Sequence, residues 1–198
     1  MKRLGILLSG RGSNFEAIAR HIENGQLSAE IAVVISNLVD APGLATARGL
    51  GLTAMFVSGK GLSRDQYDQR LIDVLNEHQV DLVCLAGFMR LLGPVMVQAF
   101  PQRILNIHPS LLPSFPGLHA QRQALEHGVK FAGCTVHFVD EGVDSGPIIR
   151  QAAVPVRDHD TEATLSARIL QQEHRIYAEA IELVLNEEYR IENRRVIG

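Results

Sequence analysis

Lys2-Arg3-Leu4-Gly5-Ile6-Leu7-Leu8-Ser9-Gly10-Arg11-Gly12-Ser13-Asn14, followed by Phe15, Ile18 and Ile22 at helical spacing, decides the fold. The run from Leu4 to Leu8 is apolar without alternation, as expected of a strand buried on both faces of a parallel sheet. Two glycines then turn the chain into an amphipathic helix. The same pattern recurs downstream. Residues 31–36 read as a second buried strand, 42–51 as a short Ala-rich helix and 52–57 as a third strand. Ser63 suits the N-cap of a helix with Tyr67, Leu71, Ile72 and Leu75 on one face. Residues 82–86 and 105–108 supply two more strands. Strands alternating with helices predict an α/β fold, a single Rossmann-like, mostly parallel sheet flanked by helices.

The last third of the chain changes character. Residues 131–139 and 148–154 are strand-like with only a Gly-containing loop between them, which predicts antiparallel pairing. A long helix follows Thr161, with Leu165, Ile169, Ile176, Ile181 and Leu185 as its buried stripe. With no repeat, low-complexity tract or linker, residues 1–198 read as one domain with an antiparallel C-terminal portion. A composition of 46% hydrophobic and 21% charged residues is that of an ordinary globular protein. A net charge of −3 gives no electrostatic footprint for nucleic acid or an anionic membrane. No apolar run is long enough to span a bilayer, and the first is too short for a signal peptide. The two cysteines sit in apolar contexts and read as buried reduced thiols of a cytoplasmic protein.

The chemistry concentrates in Asn106-Ile107-His108-Pro109-Ser110-Leu111-Leu112-Pro113 and in Asp144. Alternation along a strand sends Asn106 and His108 to the same side, and Pro109 then ends regular pairing. An amide donor beside an imidazole can hold an oxygen that gains negative charge, the requirement of acyl transfer. A carboxylate such as Asp144 could orient the imidazole and favour its protonated form, or it could be a solvated turn residue. Gly10-Arg11-Gly12-Ser13-Asn14 fits either a phosphate-binding loop at a helix N-terminus or a tight capped turn. Gly87-Phe88-Met89-Arg90-Leu91-Leu92-Gly93 fits a strand-to-helix connection or a seat for a flat heteroaromatic ligand. His119 and His137 could approach His108, but no histidine or cysteine spacing supports a metal site. Glu173 reads as a solvated helix carboxylate or as an acceptor for amine and hydroxyl protons.

Taken together these segments resemble the folate-dependent formyltransferases over nearly the whole chain. Beyond the stretches quoted above, the likeness includes Ser63-Arg64-Asp65, Phe115-Pro116-Gly117-Leu118-His119, residues 140–146 and Gln172-Glu173-His174. The resemblance implies transfer of a formyl group from 10-formyltetrahydrofolate to the amine of glycinamide ribonucleotide, without a metal. It implies that Asn106, His108 and Asp144 are catalytic, and that Gly12, Ser13, Asn14 and Glu173 hold the acceptor. Arg64, Met89, Arg90, Leu91, Leu92, Asn106 and Val143 would receive the folate, and a homodimer is compatible with it. One position departs from the family, Leu170, where Lys or Gln is common near the substrate phosphate. The main alternatives are a formyl hydrolase with the same catalytic trio and a non-catalytic nucleotide-binding module.

Overall fold

In the computed structural model, which describes residues 1–198, β1 (Lys2–Leu8) lies between two parallel neighbours. Leu4, Ile6, Leu7 and Leu8 are wholly buried, as the unbroken apolar run requires. The crossovers are α1 (Ser13–Glu23), α2 (Pro42–Gly49), α3 (Arg64–Glu77) and α4 (Pro94–Ala99). They connect β2 (Ala29–Ser36), β3 (Ala54–Phe56), β4 (Leu82–Leu85) and β5 (Ile104–His108). The strand order is β3-β2-β1-β4-β5, with every pair parallel. The third strand is shorter than expected, although ladder hydrogen bonds reach Thr53 and Val57 at its ends.

This order reverses at β1, whose neighbours are β2 on one side and β4 on the other. At such a point the crossovers leave in opposite directions and open a crevice at the carboxyl ends of the strands. Here that crevice lies between the loop after β1 and the loop after β4. The two loops touch, since Ser9 N–H donates to the Gly87 carbonyl at 3.0 Å.

The chain divides into two compact units, Met1–Asn106 and Ile107–Gly198. In the second, α5 (Ala120–Glu126) precedes β6 (Phe131–Phe138), which pairs antiparallel with β7 (Ile148–Pro155) as the short connection predicted. The 24-residue helix α6 (Glu162–Leu185) packs on both strands. Thr161 and Thr164 form a capping box at its start, and Leu165, Ile169, Ile176 and Ile181 are buried as expected. A terminal hairpin, β8 (Arg190–Glu192) and β9 (Arg195–Ile197), extends this part in the order β6-β7-β9-β8.

Gly133 on β6 faces β7 so closely that a Cβ there would lie 2.0 Å from the Ala152 carbonyl oxygen. A methyl group has no space unless the two strands part. Gly133→Ala should therefore cost about 3 kcal/mol in urea unfolding, the upper end of the range typical of overpacking. An unchanged midpoint would show that the strands separate freely.

Candidate active site

Within the first unit the glycine loop is shaped for close approach. Gly12 has φ 78°, in the left-handed region, and a Cβ there would press on Leu8 at 3.0 Å. It occupies the N-cap of α1 without any side-chain cap, so the first amides of that helix have no capping side chain across them. Gly43 N–H donates to the Gly10 carbonyl at 3.1 Å and braces the loop from α2. Ser13 opens the helix half-buried, and Asn14 is buried beside it.

The loop after β4 is pinned at both ends. Met89 N–H donates to Ser9 Oγ at 2.8 Å, and Gly93 N–H donates to Asp68 Oδ2 at 2.5 Å. Asp68 is fully buried, and burial pushes its carboxyl above the usual range against the pull of the Gly93 amide and Arg64. The Arg90 guanidinium stacks 4.3 Å over the Tyr67 ring, a cation–π contact that fixes the middle of the loop. Burial pushes the Tyr67 hydroxyl up to about 12, so the ring stays neutral at physiological pH. Between these anchors Met89 and Leu91 stand exposed while Leu92 is buried. Arg64 is exposed at the start of α3, behind the Ser63–Gln66 capping box.

Asn106 is half-buried on β5, and His108, two residues on, is buried. In the second unit His108 Nδ1 lies 3.2 Å from Asp144 Oδ2, the pairing the sequence suggested. Its Nε2 faces the Phe115 carbonyl at 2.9 Å. Both partners are acceptors, so a ring carrying a proton on each nitrogen donates to both. Gly117 N–H donates to Asp144 Oδ2 at 2.8 Å, and His137 Nε2 lies 3.6 Å from Asp144 Oδ1. Burial raises the Asp144 carboxyl. The His137 side chain, the Gly117 amide and the nearby His108 charge outweigh that and hold it below the usual range.

Local backbone explains how Asp144 arrives there. Asp140 Oδ1 accepts from Ser145 Oγ at 2.6 Å and Gly142 N–H at 3.1 Å, which curls residues 140–145. Asp144 itself has φ 50°, a left-handed conformation that Asp tolerates. Gly146 passes so close to Phe138 that a Cβ would meet its carbonyl oxygen at 1.8 Å. Val143 projects into solvent from the same loop. Thr135 secures the Pro-rich segment, donating to the Ser110 carbonyl at 2.7 Å and accepting Leu112 N–H at 3.1 Å.

His137 is the addition to the expected trio. The sequence marked it as a neighbour of His108, and the shared partner of the two rings proves to be Asp144. No group of three or more His, Cys, Asp or Glu side chains is arranged to hold a metal ion. Glu173 is not solvated but only 7% exposed on α6. Burial, and secondarily the Glu173 charge, push the Cys134 thiol up to about 12, which makes it an inert core group. Leu170 is half-buried on the same helix.

Residues 2–181 match the formyl transferase family. The chain is 41% identical over 186 residues to the phosphoribosylglycinamide formyltransferase of Bacillus subtilis (strain 168), covering 93% of this chain and 95% of that protein. It is 47% identical over 189 residues to the trifunctional purine biosynthetic protein adenosine-3 of Drosophila melanogaster. It spans only 14% to 18% of the length of such trifunctional relatives. The solved structure of glycinamide ribonucleotide transformylase 1 from Symbiobacterium toebii superposes with a TM-score of 0.97 at 56% identity, covering 99% of this chain and 93% of that one.

A carboxyl held below its ordinary value stabilises the fold above about pH 4, and that share is lost as pH falls through the lower folded value. Asp144→Asn should thus melt below wild type at neutral pH, with the gap closing below about pH 4. Melting curves across that range check it, and a gap that stays constant with pH would contradict it.

Proposed function

We propose that this chain, which belongs to the formyl transferase family, passes the formyl group of 10-formyltetrahydrofolate to the amine of 5-phosphoribosylglycinamide. The observation that carries the reading is the buried His108–Asp144 pair directly following Asn106 on β5. The amine nitrogen attacks the formyl carbon, and the carbonyl oxygen becomes an oxyanion. The Asn106 side-chain N–H and the His108 Nε2–H donate to that oxygen. The attacking nitrogen loses a proton, N10 of the folate gains one, and the bond from the formyl carbon to N10 breaks. His108 is the general acid in that transfer, and Asp144 keeps the ring oriented.

The binding assignments follow the loops. The uncapped amides after Gly12, with Ser13 and Asn14, take the phosphate and ribose of the acceptor. Glu173 holds the acceptor's amine side. The anchored backbone of Met89, Arg90, Leu91 and Leu92 receives the pterin, Val143 closes on it, and Arg64 meets the outer part of the folate. With Leu170 unable to bond phosphate, acceptor affinity rests on the glycine loop. Because Nε2 is engaged by the Phe115 carbonyl, the donor's oxygen takes that carbonyl's place when it binds.

We further propose that both units form one catalytic domain, supported by a family match that runs unbroken through 2–181 and by β5, which continues across the boundary. A cytoplasmic setting is supported by two buried cysteines that form no disulfide. Every residue assigned comes from one chain, so no step requires a homodimer.

Incubating the protein with 10-formyltetrahydrofolate, with and without 5-phosphoribosylglycinamide, tests the reading. Tetrahydrofolate and formylated product should accumulate only when the acceptor is present. Formate released without acceptor would make the chain a hydrolase instead. His108→Ala should slow turnover about 100-fold or more, the scale of positioned acid catalysis, and a near-normal rate would remove His108 from the mechanism. Ser13→Ala should weaken acceptor binding and spare the folate; equal losses for both ligands would sink that assignment.

A further inference from the structure

Ser9 stands where the two loops of the first unit meet. It follows β1 directly, is 7% exposed, and contacts the loop after β4 twice, through its amide to the Gly87 carbonyl and through its hydroxyl to the Met89 amide. A serine hydroxyl has one proton and two acceptor positions. To receive the Met89 N–H it has to turn its own proton elsewhere. Asn37, the residue after β2, supplies that destination, its Oδ1 lying 2.6 Å from Ser9 Oγ. With the proton committed to Asn37, a lone pair of the hydroxyl is aimed at Met89. Without Asn37 the rotor is free, and the N–H loses a fixed acceptor.

We propose that Asn37 and Ser9 are positioning residues for the folate, a relay in which the Asn37 amide orients the Ser9 hydroxyl and the hydroxyl fixes the Met89 backbone. This rests on the proposal that residues 89–92 receive the pterin through their backbone. Met89 begins that stretch and is 68% exposed, so the main-chain bond to Ser9 holds the residue in place. The far end has a separate anchor in Asp68, so the relay governs where the loop begins and Asp68 where it ends. Asn37 is 28 residues from Ser9 in sequence, and its part is indirect, through a bond that another residue makes.

Two measurements on the full chain separate this inference from the reading beneath it. Amide exchange at Met89 needs no ligand and should quicken in both Ser9→Ala and Asn37→Ala, with Asn37→Asp, which keeps an oxygen facing the hydroxyl, near wild type. Tetrahydrofolate binding by calorimetry should weaken about five- to tenfold in the two alanine variants, the worth of one hydrogen bond, while glycinamide ribonucleotide binding stays within about twofold. The double variant should bind tetrahydrofolate no more weakly than Ser9→Ala alone, because Asn37 acts only through Ser9. Unchanged exchange in Asn37→Ala, additive losses, or equal losses for both ligands would overturn the relay. A wild-type chain that ignores tetrahydrofolate while the exchange rates shift as stated would overturn the folate reading and the relay's purpose, leaving the bond itself intact.

Discussion

The chemistry assigned to this chain depends on the carboxylate of Asp144, set between the rings of His108 and His137 and capped by the Gly117 amide. A charge taken out of water is costly unless donors replace the lost solvent, and here three groups do so. Each of those groups is itself fixed by the fold. His108 ends β5, His137 lies near the end of β6, and Gly117 belongs to the Pro-rich segment that Thr135 ties to β6. The carboxylate therefore organises its surroundings as much as it is organised by them, and the loop that carries it is stiffened by Asp140 and Ser145.

A parallel sheet delivers every strand's carboxyl end to one edge. In the first unit the glycine loop and the Met89 loop leave β1 and β4 at that edge, joined by Ser9. Little of the loops' conformation depends on their own sequences. Gly12 is required at its positive φ, but the Met89 loop is held by Ser9, Asp68 and Tyr67, all from other segments. Both loops are thereby braced in advance, which would reduce the ordering cost of the binding proposed for them.

Much of this was legible in the residues. Unbroken apolar runs marked the parallel strands, the short Gly-containing connection marked the antiparallel pair, and alternation placed Asn106 and His108 on one face of β5. What escaped was local or polar. The strands β8 and β9 are three residues each and carry Arg190, Glu192 and Arg195, too short a stretch for a periodic pattern to reveal them. The short helix α5 follows a segment whose Pro and Gly residues signal a loop. The burial of Glu173 could not be read from its helix, since a lone carboxylate carries no sign of what packs above it. The pairing of His137 with Asp144 was equally hidden, because it depends on the left-handed turn at Asp144.

The Phe115 carbonyl on His108 Nε2 bears on where the catalytic power of this contact comes from. In the proposed reaction a formyl oxygen replaces that carbonyl, one neutral acceptor is exchanged for another, and the ground state gains almost nothing. Only as that oxygen turned anionic would the bond strengthen, because the acceptor would then carry a negative charge of its own. On the proposed mechanism the contact would contribute little to holding the substrate and be felt chiefly at the top of the barrier, the differential by which an enzyme accelerates a reaction.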